Sequence, residues 1–208
     1  RRLVHMSALG ANPKGPSEYL CSKGDGEAIV MAARGDLDVT VFRPSVIFGL
    51  GDSFLSMFAG VLRKVPVFPL GCGQARFQPV WVADVADAFV DSLGDPATFG
   101  QAYDLVGPTV YTLRELVDYT ATLVGSGARI IALPEGLAYL QAGLMWLSPK
   151  PLMSPDNLRS MEVDSICGSD CQLPANWKPT ALEAVAPTYI ARNTPKGKLD
   201  GFRYRAGR

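Results

Sequence analysis

Tyr19 and Lys23 stand four residues apart in Ser17-Glu-Tyr-Leu-Cys-Ser-Lys23, so on a helix a phenol and an ammonium share one face. Such a pair can move protons. A free tyrosine titrates near pH ~10 and is a poor acid or base at neutral pH, until a neighbouring cation stabilises the phenolate and brings it within range. Lys23 is that cation by position. On spacing alone the signal is weak, because 7 tyrosines and 7 lysines among 208 residues give roughly one chance in four of such a pair somewhere. The plain alternative is a solvent-facing helix pair.

The neighbouring elements strengthen the catalytic reading. Arg2-Leu-Val-His-Met-Ser7 reads as a short apolar strand ending in a hydroxyl, followed by a loop rich in Gly, Asn and Pro. His5 lies two residues before Ser7 and so points to the same strand face, where a buried structural role is the expectation. Ser17 is placed to cap a helix that runs through Arg34. Val39-Thr-Val-Phe-Arg-Pro44 follows as a β-branched buried strand, then the turn Phe48-Gly-Leu-Gly-Asp52. This order resembles the second half of an extended short-chain dehydrogenase/reductase, the superfamily of sugar-nucleotide epimerases and dehydratases. The resemblance implies a Ser-Tyr-Lys triad at Ser7, Tyr19 and Lys23. Tyr19 would then exchange the proton, Ser7 would hold the substrate oxygen, and Lys23 would anchor the nicotinamide ribose. It also places Pro44 and Ser45 beside the nicotinamide, and Arg76 and Asp84 in the substrate half.

Gly71-Cys-Gly-Gln-Ala-Arg-Phe-Gln-Pro-Val-Trp-Val-Ala-Asp84-Val-Ala-Asp-Ala resembles the family's substrate-side strand and the helix that follows it. Met153 to Asp164 and Pro179 to Tyr189 are similar to one atypical branch, that of the nucleotide-binding accessory subunit of respiratory complex I and its bacterial homologues. A glycine-rich strand-turn-helix of the type that holds a cofactor pyrophosphate is missing from the sequence. The expectation is therefore a C-terminal fragment whose parent binds NAD or NADP and which by itself binds either weakly or not at all.

The predicted fold class is α/β, the C-terminal part of a Rossmann-type doubly wound parallel sheet plus a small α/β substrate domain. Residues 1–50 and 78–108 fall to the first unit, 51–77 and 109–192 to the second, and 193–208 form a basic tail. Further helices are expected at Phe54 to Lys64, Val85 to Leu93, Glu135 to Leu147, Pro155 to Asp164 and Ala181 to Arg192, with strands at Gln101 to Val106 and Ala128 to Leu133. Thr112 is placed to cap an amphipathic helix reaching Val124, with Leu113, Leu116, Val117 and Thr120 inward.

Hydrophobic residues make up 48% of the chain, and 20 basic residues balance 20 acidic ones. That balance argues against a nucleic-acid partner and for a globular chain. The apolar stretch from Ile130 to Leu147 is broken by Pro134, Glu135 and Gln141, which suits a packed helix or a lipid-facing patch better than a spanning segment. Cys167 and Cys171 have plausible ligand spacing, but no second Cys or His pair completes a metal site, so with Cys21 and Cys72 they read as reduced thiols, against a local disulfide, in a cytoplasmic protein, free or peripheral to the inner membrane. The partners implied are a nucleotide cofactor, a small-molecule substrate and a respiratory-chain or membrane-surface component. A half-sheet exposing an edge would also tend to self-associate. Two functions follow from the resemblance: an epimerase/dehydratase-like or reductase activity on a sugar-nucleotide, steroid-like or quinone-related substrate, or a non-catalytic nucleotide-binding accessory role near NADH:ubiquinone oxidoreductase or ubiquinone metabolism.

Overall fold

The computed structural model describes residues 1–146 and 153–191. The chain runs β1 (Arg2–Met6), α1 (Glu18–Ala32), β2 (Asp38–Pro44), β3 (Ile47–Phe48), α2 (Leu55–Leu62), β4 (Val67–Leu70), β5 (Arg76–Phe77), β6 (Val80–Trp81) and α3 (Val82–Ser92). It continues through β7 (Gln101–Leu105), β8 (Tyr111–Thr112), α4 (Leu113–Val124), β9 (Arg129–Ala132), α5 (Glu135–Trp146), α6 (Pro155–Ser160) and α7 (Leu182–Ile190). The expected basic tail lies outside the described residues.

A parallel sheet ordered β1-β2-β7 carries the fold, with Val4 opposite Thr40 and Phe42 opposite Tyr103. Its central strand is buried from Val39 to Phe42, as a strand covered on both faces must be. Period-two alternation divides that strand between two helices. Phe42 packs with Val4, Val85 and Phe89 on the α3 side, its ring 4.8 Å from that of Phe89. Arg43 points the other way and meets Glu27 of α1. Strand β1 is paired only through β2 among the described residues, and Met6 near its end is exposed.

A separate apolar cluster joins α2, α4 and α7. The inward stripe read from the sequence, Leu113, Leu116, Val117 and Thr120, is fully buried there against Phe58, Leu62 and Ala186. Thr112 and Glu115 form a capping box at the start of α4, and Gly125 in the left-handed region ends it. In α5, Ala138 and Ala142 face the interior beside Leu158, while Leu137 and Leu140 are exposed. No helix among the described residues is long and apolar enough to cross a membrane.

Two sequence expectations change. The helix at 155 stops at Ser160, because the following residues must run beside β5: Ser165 donates its N–H to the Arg76 carbonyl at 2.8 Å and accepts from Gln78 N–H at 3.0 Å. Cys167 and Cys171, expected as reduced thiols, are joined as a disulfide. The short loop between them lies against the sheet, where Gln172 O accepts from Asp104 N–H at 2.7 Å. On the other flank Cys167 N–H donates to Gln78 Oε1 at 2.9 Å, and the turn between the two cysteines leaves their Cα atoms 5.3 Å apart, within disulfide reach. Cys21 and Cys72 are free of disulfides.

Helix α1 owes its seat to a glycine. A Cβ at Gly24 would lie 2.4 Å from the backbone of Asn12 and Pro13, so helix and preceding loop touch backbone to backbone. Two residues on, a Cβ at Gly26 would meet His5 at an ordinary 3.9 Å. Substitution by alanine should therefore act with opposite signs. Gly24→Ala is expected to destabilise by about 1–3 kcal/mol through overpacking, whereas Gly26→Ala should stabilise by about 0.5–1 kcal/mol through helix propensity. Urea denaturation of both variants beside the parent chain checks this, and equal effects would refute the packing argument.

Candidate functional site

Ser17 has extended backbone and accepts the Leu20 N–H on its Oγ at 3.1 Å, capping α1 as its sequence suggests. A second cap comes from far along the chain. The Asp156 carboxylate of α6 accepts the N–H of Glu18 at 2.8 Å and that of Tyr19 at 3.2 Å, and Ser160 donates to Ser17 Oγ at 2.8 Å. A carboxylate at a helix N-terminus satisfies two orphan donors and opposes the helix dipole. The backbone of Tyr19 is thus positioned by a residue 137 positions away.

Tyr19 lines a cleft of about 310 Å³ together with Ala8, Pro44, Ser45, Phe77 and residues of and after α6. The cleft opens at the C-terminal ends of β1 and β2, where doubly wound sheets bind their ligands. The Tyr19 side chain is half exposed, and its hydroxyl makes no hydrogen bond among the described residues. Burial of part of the ring pushes its phenol above the ordinary value of 10. Lys23, one turn on, donates through Nζ to the Met6 carbonyl at 3.3 Å. Its ammonium thus sits at the end of the outer strand.

Ser7 is elsewhere. It is buried, does not line the cleft, and its Oγ makes no well-formed hydrogen bond. The hydroxyl faces α1, close enough to Glu27 to help hold that carboxylate ionised. Strand alternation explains this: Ser7 follows His5 onto the helix side, and the next residue, Ala8, enters the cleft. The structure therefore brings Tyr19, Lys23, Pro44 and Ser45 to one end of the sheet and leaves Ser7 beneath it.

Arg76 and Asp84 also lie outside the cleft lining. Arg76 is held by Asp164, with Nε and a terminal nitrogen 2.9 and 2.7 Å from Oδ2, and its own N–H donates to Oδ1. These bonds from Arg76 outweigh partial burial and hold the Asp164 carboxyl below its ordinary value. Asp84, in the first turn of α3, accepts from Thr180 N–H at 2.6 Å and Thr180 Oγ1 at 3.0 Å. Both residues pin the chain that follows α6 to the earlier part of the fold.

Sequence reasoning missed the buried charged layer under Ser7. Glu27 of α1 accepts from Arg43 Nε at 2.9 Å, and the Arg43 guanidinium also faces Asp104 at 3.8 Å. Burial would raise Glu27, but the Arg43 hydrogen bonds, with the Ser7 hydroxyl nearby, leave it below its ordinary 4.5. For Asp104 burial wins, and its carboxyl is raised. Glu27 follows Tyr19 and Lys23 by four-residue steps, a spacing visible in the sequence, yet the buried direction of that helix face was not. The contribution of Asn157 and Met161 to the cleft carries no local signal, since the contact spans most of the chain.

The fold is the parallel-sheet α/β architecture of the extended short-chain dehydrogenase/reductase type. Residues 3–88 match an NAD-binding family model described as Male sterility protein. The mitochondrial NADH dehydrogenase (ubiquinone) 1 alpha subcomplex subunit 9 of Arabidopsis thaliana is 32% identical over 176 residues, covering 79% of this chain and 43% of that protein. The subunit of the same name from Mus musculus is 32% identical over 199 residues, covering 92% and 52%. Among solved structures, DesIV, a dTDP-glucose 4,6-dehydratase from Streptomyces venezuelae with NAD and TYD bound, superposes with a TM-score of 0.63 over 95% of this chain and 61% of that one, at 16% identity. That likeness is one of fold. The chain is homologous to the complex I subunit 9 branch of the extended short-chain dehydrogenase/reductases, and it spans about half the length of the curated relatives it matches.

The caps and the charged layer make separable predictions. Asp156→Ala should lower stability by about 0.5–2 kcal/mol as two helix amides lose their acceptor; chemical denaturation checks it. Because folding lowers the Glu27 pKa, its contribution is fully present above the unfolded value and is lost as pH falls through the folded one. Glu27→Gln should therefore cost about 1–3 kcal/mol at pH 7, with the gap to the parent chain closing below pH 4.5. A gap that stays constant from pH 7 to pH 3 would assign the loss to packing instead.

Proposed function

We propose that the chain is the substrate-side part of an NAD(P)-binding extended short-chain dehydrogenase/reductase-type protein that serves as a nucleotide-binding accessory or assembly protein of an NADH:ubiquinone oxidoreductase-type respiratory system. The observation that carries this reading is the placement of Ser7. Its hydroxyl is directed to Glu27, and Ala8 occupies the cleft beside Tyr19. An acid-base triad of this kind needs the phenol and the serine hydroxyl on one substrate oxygen. Here the phenol is raised by burial instead of lowered, and Lys23 is engaged with the Met6 carbonyl.

Tyr19, Lys23, Pro44 and Ser45 fit the nicotinamide end of a dinucleotide, since all four stand at the C-terminal ends of β1 and β2 or on the helix beside them. Among the described residues no glycine-rich turn joins a strand to a helix, so the pyrophosphate end has no donors here. NAD or NADP, where bound, supplies hydride chemistry or a structural nucleotide.

A second reading, a reductase or epimerase-like enzyme, draws on the free Tyr19 hydroxyl in the cleft with Lys23 one helical turn away. In that case Tyr19 acts as the proton donor and a hydroxyl such as Ser45 replaces Ser7.

The readings separate in a protein carrying both sheet halves, assayed with reduced cofactor and a panel of quinone, sugar-nucleotide and ketone substrates. For an accessory protein, Tyr19→Phe and Lys23→Met leave every oxidation rate found unchanged, while Lys23→Met weakens nucleotide binding. An enzyme instead loses about a hundredfold to ten-thousandfold in turnover on Tyr19→Phe. For the 208-residue chain, calorimetry should detect no NADH or NADPH binding tighter than about millimolar, given the missing amide cradle. A micromolar dissociation constant would overturn that part.

A further inference from the structure

The cleft beside Tyr19 contains no charged side chain. Its walls are Leu9, Leu20, Val46, Phe54, Met161 and Val163, besides the residues already described. The polar groups that reach it are neutral: the Tyr19 phenol, three serines and the Asn157 amide. Most of these are already used within the protein. Ser45 Oγ donates to the Ser165 carbonyl at 2.7 Å or the Ser165 hydroxyl at 3.0 Å, and Ser160 donates to Ser17. Asn157 Oδ1 accepts from Ser154, leaving its amino group without a partner among the described residues. Two donors therefore remain, the Tyr19 hydroxyl and the Asn157 amide N–H.

A diphosphate placed in this cleft would meet no cation. Arg76, which the resemblance places in the substrate half, engages its guanidinium with Asp164 and does not line the cleft, and Lys23 is turned to Met6. Burying an anion without a countercharge is strongly unfavourable. A carbonyl oxygen, in contrast, satisfies both free donors and carries no charge, while an attached hydrocarbon matches the aliphatic and aromatic walls. A volume of about 310 Å³ is at the small end of the range for small-molecule sites and suits a ring or a chain segment.

We propose that this cleft takes an uncharged, mainly apolar carbonyl compound, held by the Tyr19 hydroxyl and the Asn157 amide, and that it does not take nucleoside-diphosphate sugars. The assignment deepens the reading of this cleft as the ligand side of an NAD(P)-binding protein and concerns the ligand class alone. A quinone ring and a long-chain ketone share the required chemistry.

Titration calorimetry of the 208-residue chain without nucleotide tests it with three probes: a decyl-substituted benzoquinone, 2-tridecanone and UDP-glucose. One or both carbonyl probes should bind in the micromolar range and UDP-glucose no tighter than about millimolar. The stronger of the two carbonyl probes tells a quinone from a lipid ketone. Tyr19→Phe removes one neutral hydrogen bond and should weaken the bound probe about three- to tenfold, and Val163→Asp, which puts a charge at a partly exposed wall, more than tenfold. Circular dichroism establishes that each variant is folded, and either variant alone suffices if the other is not. UDP-glucose binding tighter than both carbonyl probes, no binding of either probe, or affinities unmoved by folded variants would overturn the proposal. Because no nucleotide is present, these results stand whether or not the protein proves to bind NAD or NADP.

Discussion

The first turn of α1 is held from both ends of the sequence. Ser17 supplies the local cap, Asp156 takes the next two amides, and Gly24 lets the following turn press directly on the Asn12-Pro13 backbone. Without these contacts α1 would still be a helix, but neither its depth nor its rotation would be set. Tyr19 could then face solvent as readily as the cleft. The same contacts bring α6 across the C-terminal end of the sheet, so that one docking both aims the phenol and supplies the wall opposite it. Arg76 and Asp84 tie down the chain on either side of the disulfide loop.

Beneath that docking, the sheet separates two chemistries by alternation. The face toward α1 carries a charged layer, in which Glu27, Arg43 and Asp104 sit close enough to shift one another and Ser7 and His5 border them. The cleft itself is lined only by neutral groups. Such segregation keeps an ionised carboxylate away from the place where a ligand oxygen would lie, and it leaves the Tyr19 phenol without a nearby charge to lower it. Asp104 is raised chiefly by burial, whereas Glu27, though also buried, is lowered because the one guanidinium hydrogen-bonds it and stands farther from Asp104.

The end of the sheet, in a fold shared with solved dehydratases at low identity, carries Tyr19 and Lys23 one helical turn apart. The complex I subunits related to this chain are similar to it in sequence over about half of their own length. No charged side chain lines the cleft, and Met161 and Val163 after α6 supply part of its apolar wall.

Local patterns in the sequence determined the helices and strands. Thr112 with Glu115 marked the start of α4, the Leu113-Leu116-Val117-Thr120 stripe marked its buried face, and β-branched Val39 to Val41 marked the central strand, because capping and amphipathic period act within a few residues. The Tyr19 to Lys23 spacing was likewise legible, as was the α/β class. The facing of Ser7 was available in principle, since it shares parity with His5, but which face holds the cleft depends on where α1 and α6 pack. The tertiary structure alone decided that Asp156 caps α1, that Arg76 pairs with Asp164 and that Ala8 and Asn157 line one cleft. Those contacts join residues far apart in the chain, and no local spacing records the energy of a pairing that exists only once the layers have closed.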